Sequence, residues 1–462
     1  MTPRTHPLRL SQLALSALLA LPGTSLADAP PTNLPPFSAM ASNTTQSLDL
    51  NKILQTIAAT SPDVLAADAA QNQAQAQVQQ ARAAWFGKVD AYALNQHFND
   101  PRLTRAITQP PNVALYPFAR NQFGYGVEVQ LPIDLSGQIA AEVDAARSRA
   151  NSAHWSVDDV RLRALLQAAT YYRNLQTFVG QQVALQKQME SLQVSRRVAQ
   201  TGLKVGTIAK VSLLRVEAAV ANIQSQMAGI EGQVQKLRAQ LAAMMGVDTF
   251  DAPIVSDESG PNELPSDPNR PPPSIQAAIS TLQSSQDKLN AAKRAMYPQF
   301  SLNGGWNRNS IQWDQQAVNT WQLNFGVKLN LWSGGAQKSA IDAAQAASLE
   351  SSYHLKAAED NLHAARLGAL AQWRAQKAVW QAAKSGLRAA AESARIEQDR
   401  FKNGLGSASD LIDAEAALAS ARASVAGALA GWWQADDALR YAYGEAPAAL
   451  HNNDSTPTST QP

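Results

Sequence analysis

The chain has 462 residues, of which 45% are hydrophobic and 16% charged, with 39 basic against 37 acidic side chains, 6 histidines and no cysteine. The missing cysteines exclude a disulfide framework, a thiol nucleophile and a lipidated N-terminal cysteine. The near balance of charge argues against a nucleic-acid partner, which normally needs a basic excess.

The first predicted element is a targeting segment. Arg4 and Arg9 supply a positive n-region, "LSQLALSALLALPG" (10–23) is an apolar h-region, and Ser25 and Ala27 put small residues at the −3 and −1 positions of a cleavage site. This predicts a signal peptide over 1–27, cleaved after Ala27, and an extended segment over 28–47. Its removal takes away Arg4 and Arg9 and leaves 37 basic and 37 acidic side chains. No later stretch reaches 18 uncharged apolar residues, so no transmembrane helix is expected. A chain of this kind enters a membrane only as strands.

A helix is predicted over about 48–84, opening a first repeat that runs to 255. Period-two segments follow. In "KVDAYALN" (88–95) and "FGYGVEVQLPIDL" (123–135) apolar and polar residues alternate, which predicts a hairpin over 86–135. The intervening "HFNDPRLTRAITQPPNVALYPFARNQ" (97–122) reads as a loop. Ile133 to Ala252 contains no proline. Proline costs about 3 kcal/mol inside a helix, so long helix is possible here, and Leu165, Ala169, Tyr172, Val179 and Val183 form a heptad-like stripe. Glycines near 202–210 mark where the helix reverses.

The Pro-rich "SDESGPNELPSDPNRPPP" (256–273) joins this repeat to a second, 274–446. A helix at about 275–296 leads to "QFSLNGGWNRN" (299–309) and "WQLNFGVKLNLWS" (321–333), a second hairpin over 298–333. Trp306, Trp313, Trp321 and Trp332 lie in or beside it, where an aromatic girdle would be. Gln337 to Lys402 spans 66 residues with 19 alanines and no proline. Such small side chains predict close packing against several neighbours, over roughly 100 Å at 1.5 Å per residue. A second reversal is predicted near 403–409. The polar tail, 447–462, reads as disordered.

The two halves are copies. "VGTIAKVSLLRVEAAVA" (205–221) matches "NGLGSASDLIDAEAALA" (403–419) at an offset of 198, with Gly206 and Gly404 each 11 residues before Glu217 and Glu415. The same offset pairs Val127 with Phe325, Val129 with Val327 and Gly137 with Gly335. Upstream, "AAWFGKVDAYA" (83–93) matches "RAMYPQFSLNG" (294–304) at an offset of 211, so the first repeat carries 13 extra residues within its hairpin.

Four amphipathic strands cannot close a barrel alone, and an open edge in lipid leaves backbone groups unsatisfied at several kcal/mol each. Membrane barrels begin at about eight strands, whose interiors side chains already fill. The polar strand residues Glu128, Gln130, Lys328 and Asn330 need a wet lumen, which favours three chains and 12 strands. The fold class expected is therefore a mixed membrane α+β protein. Each tandem-repeat protomer supplies four transmembrane β-strands and long antiparallel coiled-coil helices.

The helix before strand one ("SPDVLAADAAQNQAQAQVQQARAAWFG"), the opening of the second hairpin ("YPQFSLNGGW"), the strand-to-helix turn ("LNLWSGGAQKSAIDAA") and both glycine-to-glutamate tips resemble the TolC family of outer-membrane efflux and secretion channels, over roughly 48–446. The resemblance implies a homotrimer, with a 12-stranded β-barrel in the outer membrane and an α-helical barrel crossing the periplasm. It implies a passive exit duct for small molecules such as drugs, serving an inner-membrane pump through a periplasmic adaptor. It places Asp410 and Asp413, six and nine residues after Gly404, as a ring of carboxylates at the aperture; Ser212 and Arg215 stand at the equivalent places in the first repeat. It assigns the tip turns and adaptor contacts to Gly202, Gly206, Gly404, Gly406, Ser212 and Phe401. The positions that lock the entrance in the best-known member hold Phe401, Gly406 and Ser212 here, so that lock is absent. Gly87 replaces the family's usual proline, and "IDLSGQ" (133–138) is an irregular strand-to-helix turn.

Without the other chains, Asp410 also reads as an N-terminal acid favoured by the helix dipole, with Ser407 or Ser409 as cap. An enzyme is not indicated. The histidines (6, 97, 154, 354, 363 and 451) are scattered, and neither a metal motif nor a phosphate loop is present, so no cofactor is expected. The alternative, a soluble periplasmic coiled-coil adaptor, accounts for the helices but not for the alternating strands or their aromatics.

Overall fold

The structure is a computed structural model that describes residues 49–103, 118–255, 259–261, 271–311 and 317–448. The signal peptide, the segment 28–47, Trp313, most of the 256–273 linker and the tail beyond Ala448 lie outside the described residues. All described residues fall within one compact unit, Thr45–Pro462.

The single helix expected over 48–84 is two. α1 (Leu50–Thr60) stops at Ser61, whose backbone is extended (φ −58°, ψ 128°), and α2 (Pro62–Ala83) starts on a proline. Proline lacks the N–H that would continue α1, but costs nothing at the first helical position. α1 buries Leu50, Ile53, Leu54 and Ile57, one stripe at helical spacing. With Leu165, Ala168, Tyr172 and Leu175 of α3 (Gln138–Lys204) and Val234, Leu237 and Leu241 of α4 (Lys210–Met245), they make the largest core cluster.

One 3₁₀ turn, Ala84–Phe86, leads from α2 into the sheet. The sheet is an antiparallel meander, β1 (Lys88–Leu103), β2 (Phe118–Ile133), β3 (Gln299–Ser310) and β4 (Val318–Lys328), in spatial order β1-β2-β3-β4. The loop expected over 97–122 is shorter than read. β1 runs on to Leu103 and β2 begins at Phe118, with an irregularity in register between His97 and Arg102. Pro101 is tolerated because β1 is an edge strand. The second hairpin is shorter than read. Lys328 pairs with Gln299, the first residue of β3, so the partner strand ends there and Leu329 to Ser333 continue outside the ladder. Asn330 is therefore not a strand residue.

The helices repeat as the sequence does. α3 and α6 (Ala336–Lys402) each have 67 residues, and α4 and α7 (Ala408–Ala442) have 36 and 35. α5 (Pro273–Arg294) lies along α3, tied by Ser284 Oγ donating to Ala145 O at 2.9 Å and Arg294 Nη1 to Gly137 O at 2.7 Å. Two expectations fail in these helices. Val183 is 51% exposed, because the buried face of α3 passes through Leu175, Ala184, Gln188, Leu192 and Ala199 instead. The alanine-rich α6 packs along most of its length against α5 and α7 and reaches α3 and α4 near its end through Gln398 and Phe401, and Ala394 and Phe401 are its only buried residues among those described.

Candidate functional site

Two regions carry chemistry suited to a conduit, the sheet and the helical tips. Across the sheet the register aligns two unlike faces. Val127, Trp306 and Trp321 stand opposite one another, as do Leu131, Leu302 and Phe325, and Ile133, Phe300 and Val327. Tyr125 and Trp306 meet edge to face with ring centroids 6.1 Å apart. On the other face one row holds Lys88, Gln130, Asn303 and Asn324, and the next holds Asp90, Glu128, Gly305 and Gln322. Lys88 pairs with Asp90 at 3.4 Å. Lys328 lies on this polar face opposite Gln299, while Asn330 falls beyond it.

Because the sheet is a meander, the start of β1, the end of β2, the start of β3 and the end of β4 share one end. The residues beside those four ends are Phe86, Leu135, Tyr297, Leu331 and Trp332, all exposed, with Phe86 at 81%, Leu331 at 87% and Trp332 at 85%. Of these, sequence reasoning singled out Trp332, as a girdle residue, and Leu331, as the end of a strand's apolar face. A patch this apolar marks a surface that meets something other than water.

At the far end of the long helices, α3 turns into α4 through Gly206 (φ 78°), and α6 into α7 through Gly404 (φ 72°). Both glycines sit in the left-handed region that closes helices. Gly202 lies within the last turn of α3. It is buried, and an added Cβ would come within 2.7 Å of the Ile208 side chain. At Gly406 an added Cβ would be 3.1 Å from Arg400 Cβ and Phe401 N, so this glycine serves close approach and not left-handed backbone.

Ser407, not Ser409, caps α7, its Oγ accepting from Asp410 N at 3.1 Å. Asp410 and Asp413 are both exposed, and neither carboxylate has a hydrogen-bond or ion-pair partner among the described residues. The half-buried Ser212 stands near the start of α4. Phe401 is not a surface contact. It is 4% exposed and packs among Leu192, Ala199, Val216, Val220, Ile223 and Leu411. Gly202, buried too, is likewise closed to a partner. The exposed apolar residues at the tips are Leu203, Val205, Val211, Leu214 and Leu405, which the sequence reading passed over.

Glu415, noted in the sequence only as a mark of the repeat, is 1% exposed. It accepts from Ser191 Oγ of α3 at 2.5 Å and from Gln398 Nε2 of α6. Its counterpart Glu217 is only half-buried.

Nearer the other end of α7 lies a buried ionic group. Arg173 of α3 reaches Asp437 at 3.5 Å and stacks over the Trp433 ring at 4.7 Å. Asp436 pairs with Arg440 at 2.8 Å and accepts from Trp373 Nε1 at 3.0 Å. Burial pushes the Asp437 carboxyl up to about 6 from its ordinary 3.8; Arg173 opposes that rise and Asp436 adds to it. With the folded value raised, the contribution to stability is fully present below about pH 3.8 and is lost as pH rises through about 6. Asp437→Asn removes that dependence. The variant should therefore gain on the wild type by up to about 3 kcal/mol between about pH 4 and pH 7. Melting curves of both proteins in detergent across this range check it, and a constant difference would mean that another group titrates. Among the described residues no three His, Asp or Glu side chains converge as a metal site.

Residues 53–247 and 269–445 match a protein-family model described as outer membrane efflux protein. The multidrug resistance outer membrane protein MdtP of Escherichia coli O157:H7 is 25% identical over 233 residues, 48% of this chain and 48% of MdtP. The chain thus spans about half the length of the curated relatives of this kind that it matches. Among solved structures, the CmeC outer membrane channel of Campylobacter jejuni matches with a TM-score of 0.76 at 17% identity, over 89% of both chains. The outer membrane protein VceC of Vibrio cholerae matches with a TM-score of 0.71 at 18% identity, over 86% of this chain and 96% of VceC. At these identities the likeness to solved structures establishes the fold.

Proposed function

Because the chain belongs to the outer membrane efflux protein family, we propose that it is the exit duct of a tripartite efflux or type I secretion system. It passes small molecules from an inner-membrane pump to the exterior without chemistry of its own. It resides in the outer membrane and extends into the periplasm. The observation that carries this reading is the sheet. It is apolar on one face, polar on the other and unpaired along the outer edges of β1 and β4 among the described residues, and it runs straight into the long helices. Open edges are not stable in lipid. Pairing β4 of one copy with β1 of the next closes a ring, and three copies give 12 strands around a lumen lined by Lys88, Glu128, Gln130 and Lys328. The exposed residues at the sheet's helical end suit the lipid interface, where aromatic side chains gather. A soluble coiled-coil adaptor would have no use for that apolar face.

In this trimer Asp410 and Asp413 ring the periplasmic entrance, where carboxylates favour cations over anions. Leu203, Val205, Val211, Leu214 and Leu405, beside the turns at Gly206 and Gly404, offer the adaptor its contacts. Membrane fractionation with an unboiled gel tests the assembly; a soluble periplasmic monomer would refute it. Neutralising both aspartates (Asp410→Asn with Asp413→Asn) should raise single-channel conductance in planar bilayers or abolish block by added cations. Unchanged values on both counts would remove the aspartates from the entrance.

A further inference from the structure

The two ends of the sheet differ in charge. The row of Val127, Trp306 and Trp321 divides them. The half next to the helices holds Lys88, Asp90, Glu128 and Lys328, with both signs equally represented. The far half holds Arg102, Arg120 and Arg308 against Asp100 alone among the described residues. The register sorts these arginines between the two faces. Arg308 stands between Tyr125 and Asn319, one row beyond Trp306 on the apolar face, and Asn319 Oδ1 accepts from its Nη1 at 3.2 Å. Farther out on that face His97 lies opposite Asn121, with Nδ1 and Oδ1 2.5 Å apart, and Arg102 lies opposite Ala119. Gln122 Nε2 donates to the carbonyls of Arg102, Leu103 and Ala119 at 2.9, 3.3 and 3.4 Å, which fixes the backbone past the register irregularity. Arg120, next to Asn121 in β2, lies on the polar face.

These positions fit the depth of a leaflet. The run of β2 from Ile133 to Tyr125 is roughly 27 Å long at about 3.4 Å per residue. At the tilt of about 40° usual in membrane barrels, this is about 20 Å of height, close to the top of an outward apolar band about 25 Å tall. Arg308 thus lies where hydrocarbon gives way to headgroups, with Tyr125, Trp306 and Trp321 exposed at or below its level. The planar fork of an arginine matches phosphate, and its charge does not vary with pH. Arg102 lies farther out by the run of β2 from Tyr125 to Ala119, roughly 20 Å along the strand and about 15 Å in height. The headgroup layer of a phospholipid is only about 5–8 Å deep, so it does not reach Arg102. A headgroup extended by sugars does, and His97, Asn121 and Asn319 offer it hydrogen-bonding groups along the way.

We propose that the outward face of the sheet's far end binds a phosphorylated glycolipid of the outer leaflet, with Arg308 taking a phosphate at the membrane boundary and Arg102 taking anionic groups farther out on the same headgroup. Asn319 is a positioning residue for the Arg308 guanidinium. The inference rests on the outer-membrane reading above, which sets the helices in the periplasm and so turns this end of the sheet to the exterior.

The full chain, purified as its oligomer in a neutral detergent, is titrated with a core-bearing rough lipopolysaccharide and, separately, with phosphatidylglycerol, and bound lipid is read by native mass spectrometry. The glycolipid should bind at least about tenfold tighter than the phospholipid, since it alone reaches both arginines. Arg308→Gln should weaken glycolipid binding about tenfold, the loss of a charge-assisted hydrogen bond. Arg308→Lys should recover part of that loss, because it keeps the charge without the fork. Arg102→Gln should weaken the glycolipid several-fold and leave phosphatidylglycerol unchanged. Arg120→Gln, on the polar face, should change neither. Unboiled gels of each variant, showing the oligomer intact, separate lost binding from lost folding. No binding of the glycolipid, or phosphatidylglycerol bound as tightly, would overturn the glycolipid as occupant. Equal losses from Arg120→Gln and Arg308→Gln would reduce the site to net charge and overturn it too. In both cases an oligomer in outer-membrane fractions leaves the channel reading standing. A soluble periplasmic monomer would overturn that reading and this site with it.

Discussion

Gly87→Ala is expected to abolish assembly of the protein in the outer membrane. Gly87 joins the turn after α2 to β1 with φ 65° and ψ −156°. That region is almost closed to residues with a side chain and costs of order 1–3 kcal/mol there. The larger effect is a collision. A Cβ at this position would lie 2.0 Å from Gln130 O and 2.9 Å from Leu131 Cα, and both are backbone atoms. Lys88, the next residue, pairs with Gln130, so β1 must leave β2 at its first step. β1 is also the edge that closes the ring in the proposed trimer, so the loss propagates to every junction. Proline, usual at this place in the family, fails for the same reason, because its ring fixes φ near −65°. The measurement is heat-modifiable oligomer on gels of outer-membrane fractions. Gly334→Ala is the control. Gly334 also has positive φ (63°) but meets nothing within 4 Å, so it should suffer strain alone and still assemble. Normal oligomer from Gly87→Ala would show that β1 joins the sheet by another route.

Arg173→Met is expected to destabilise the folded protein by about 3–5 kcal/mol at neutral pH, the cost of leaving a buried charge without its partner. Arg173 and Asp437 are 3% and 1% exposed at the side chain. Methionine keeps much of the arginine stem's packing against Trp433, so the charge dominates the change. The pH dependence identifies the cause. Without Arg173, which opposes the rise, the Asp437 carboxyl is pushed up further than in the wild type, so it takes up a proton above pH 6 and the deficit should shrink as pH falls toward about 6. Guanidinium melts of wild type and variant at two pH values decide it. A deficit of equal size at both would place the cost in packing, not charge.

The parts of this protein legible in the sequence are those set by local rules. Proline-free blocks marked the long helices, strict alternation marked the strand faces, and glycines at one offset marked both reversals. What was misread depended on partners distant in the chain. Asn99, Asp100 and Pro101 look like a loop, yet they extend an edge strand because Phe118 and Ala119 stand across from Leu103 and Arg102. The alternation of Leu329 and Leu331 continues past Lys328, but hydrogen bonding cannot, since β3 has not yet begun. Val183 fits a strict heptad, and a 67-residue helix at 3.6 residues per turn drifts away from one. At the tips, the resemblance marks Asp410 and Asp413 by their distance from Gly404, and both lie exposed beside that turn. Ser191 and Gln398 could not be found so, being neutral residues in helices already rich in serine and glutamine. Arg173 and Asp437 offered no local signal either, for they meet only when the two repeats pack together.

The equality of α3 and α6 has a consequence for how such a protein can change over time. Both begin and end at residues related by one offset, Gln138 with Ala336 and Lys204 with Lys402. They behave as a pair of matched rulers with a common zero at the sheet. One residue added to either alone would rotate everything beyond it by about 100° and lift its turn about 1.5 Å above the other. Glu415 would then face away from Ser191. Lineages can therefore lengthen or shorten this protein only in coupled steps, by whole turns in both copies at once. The duplication that built the chain also sets the units in which its reach can evolve.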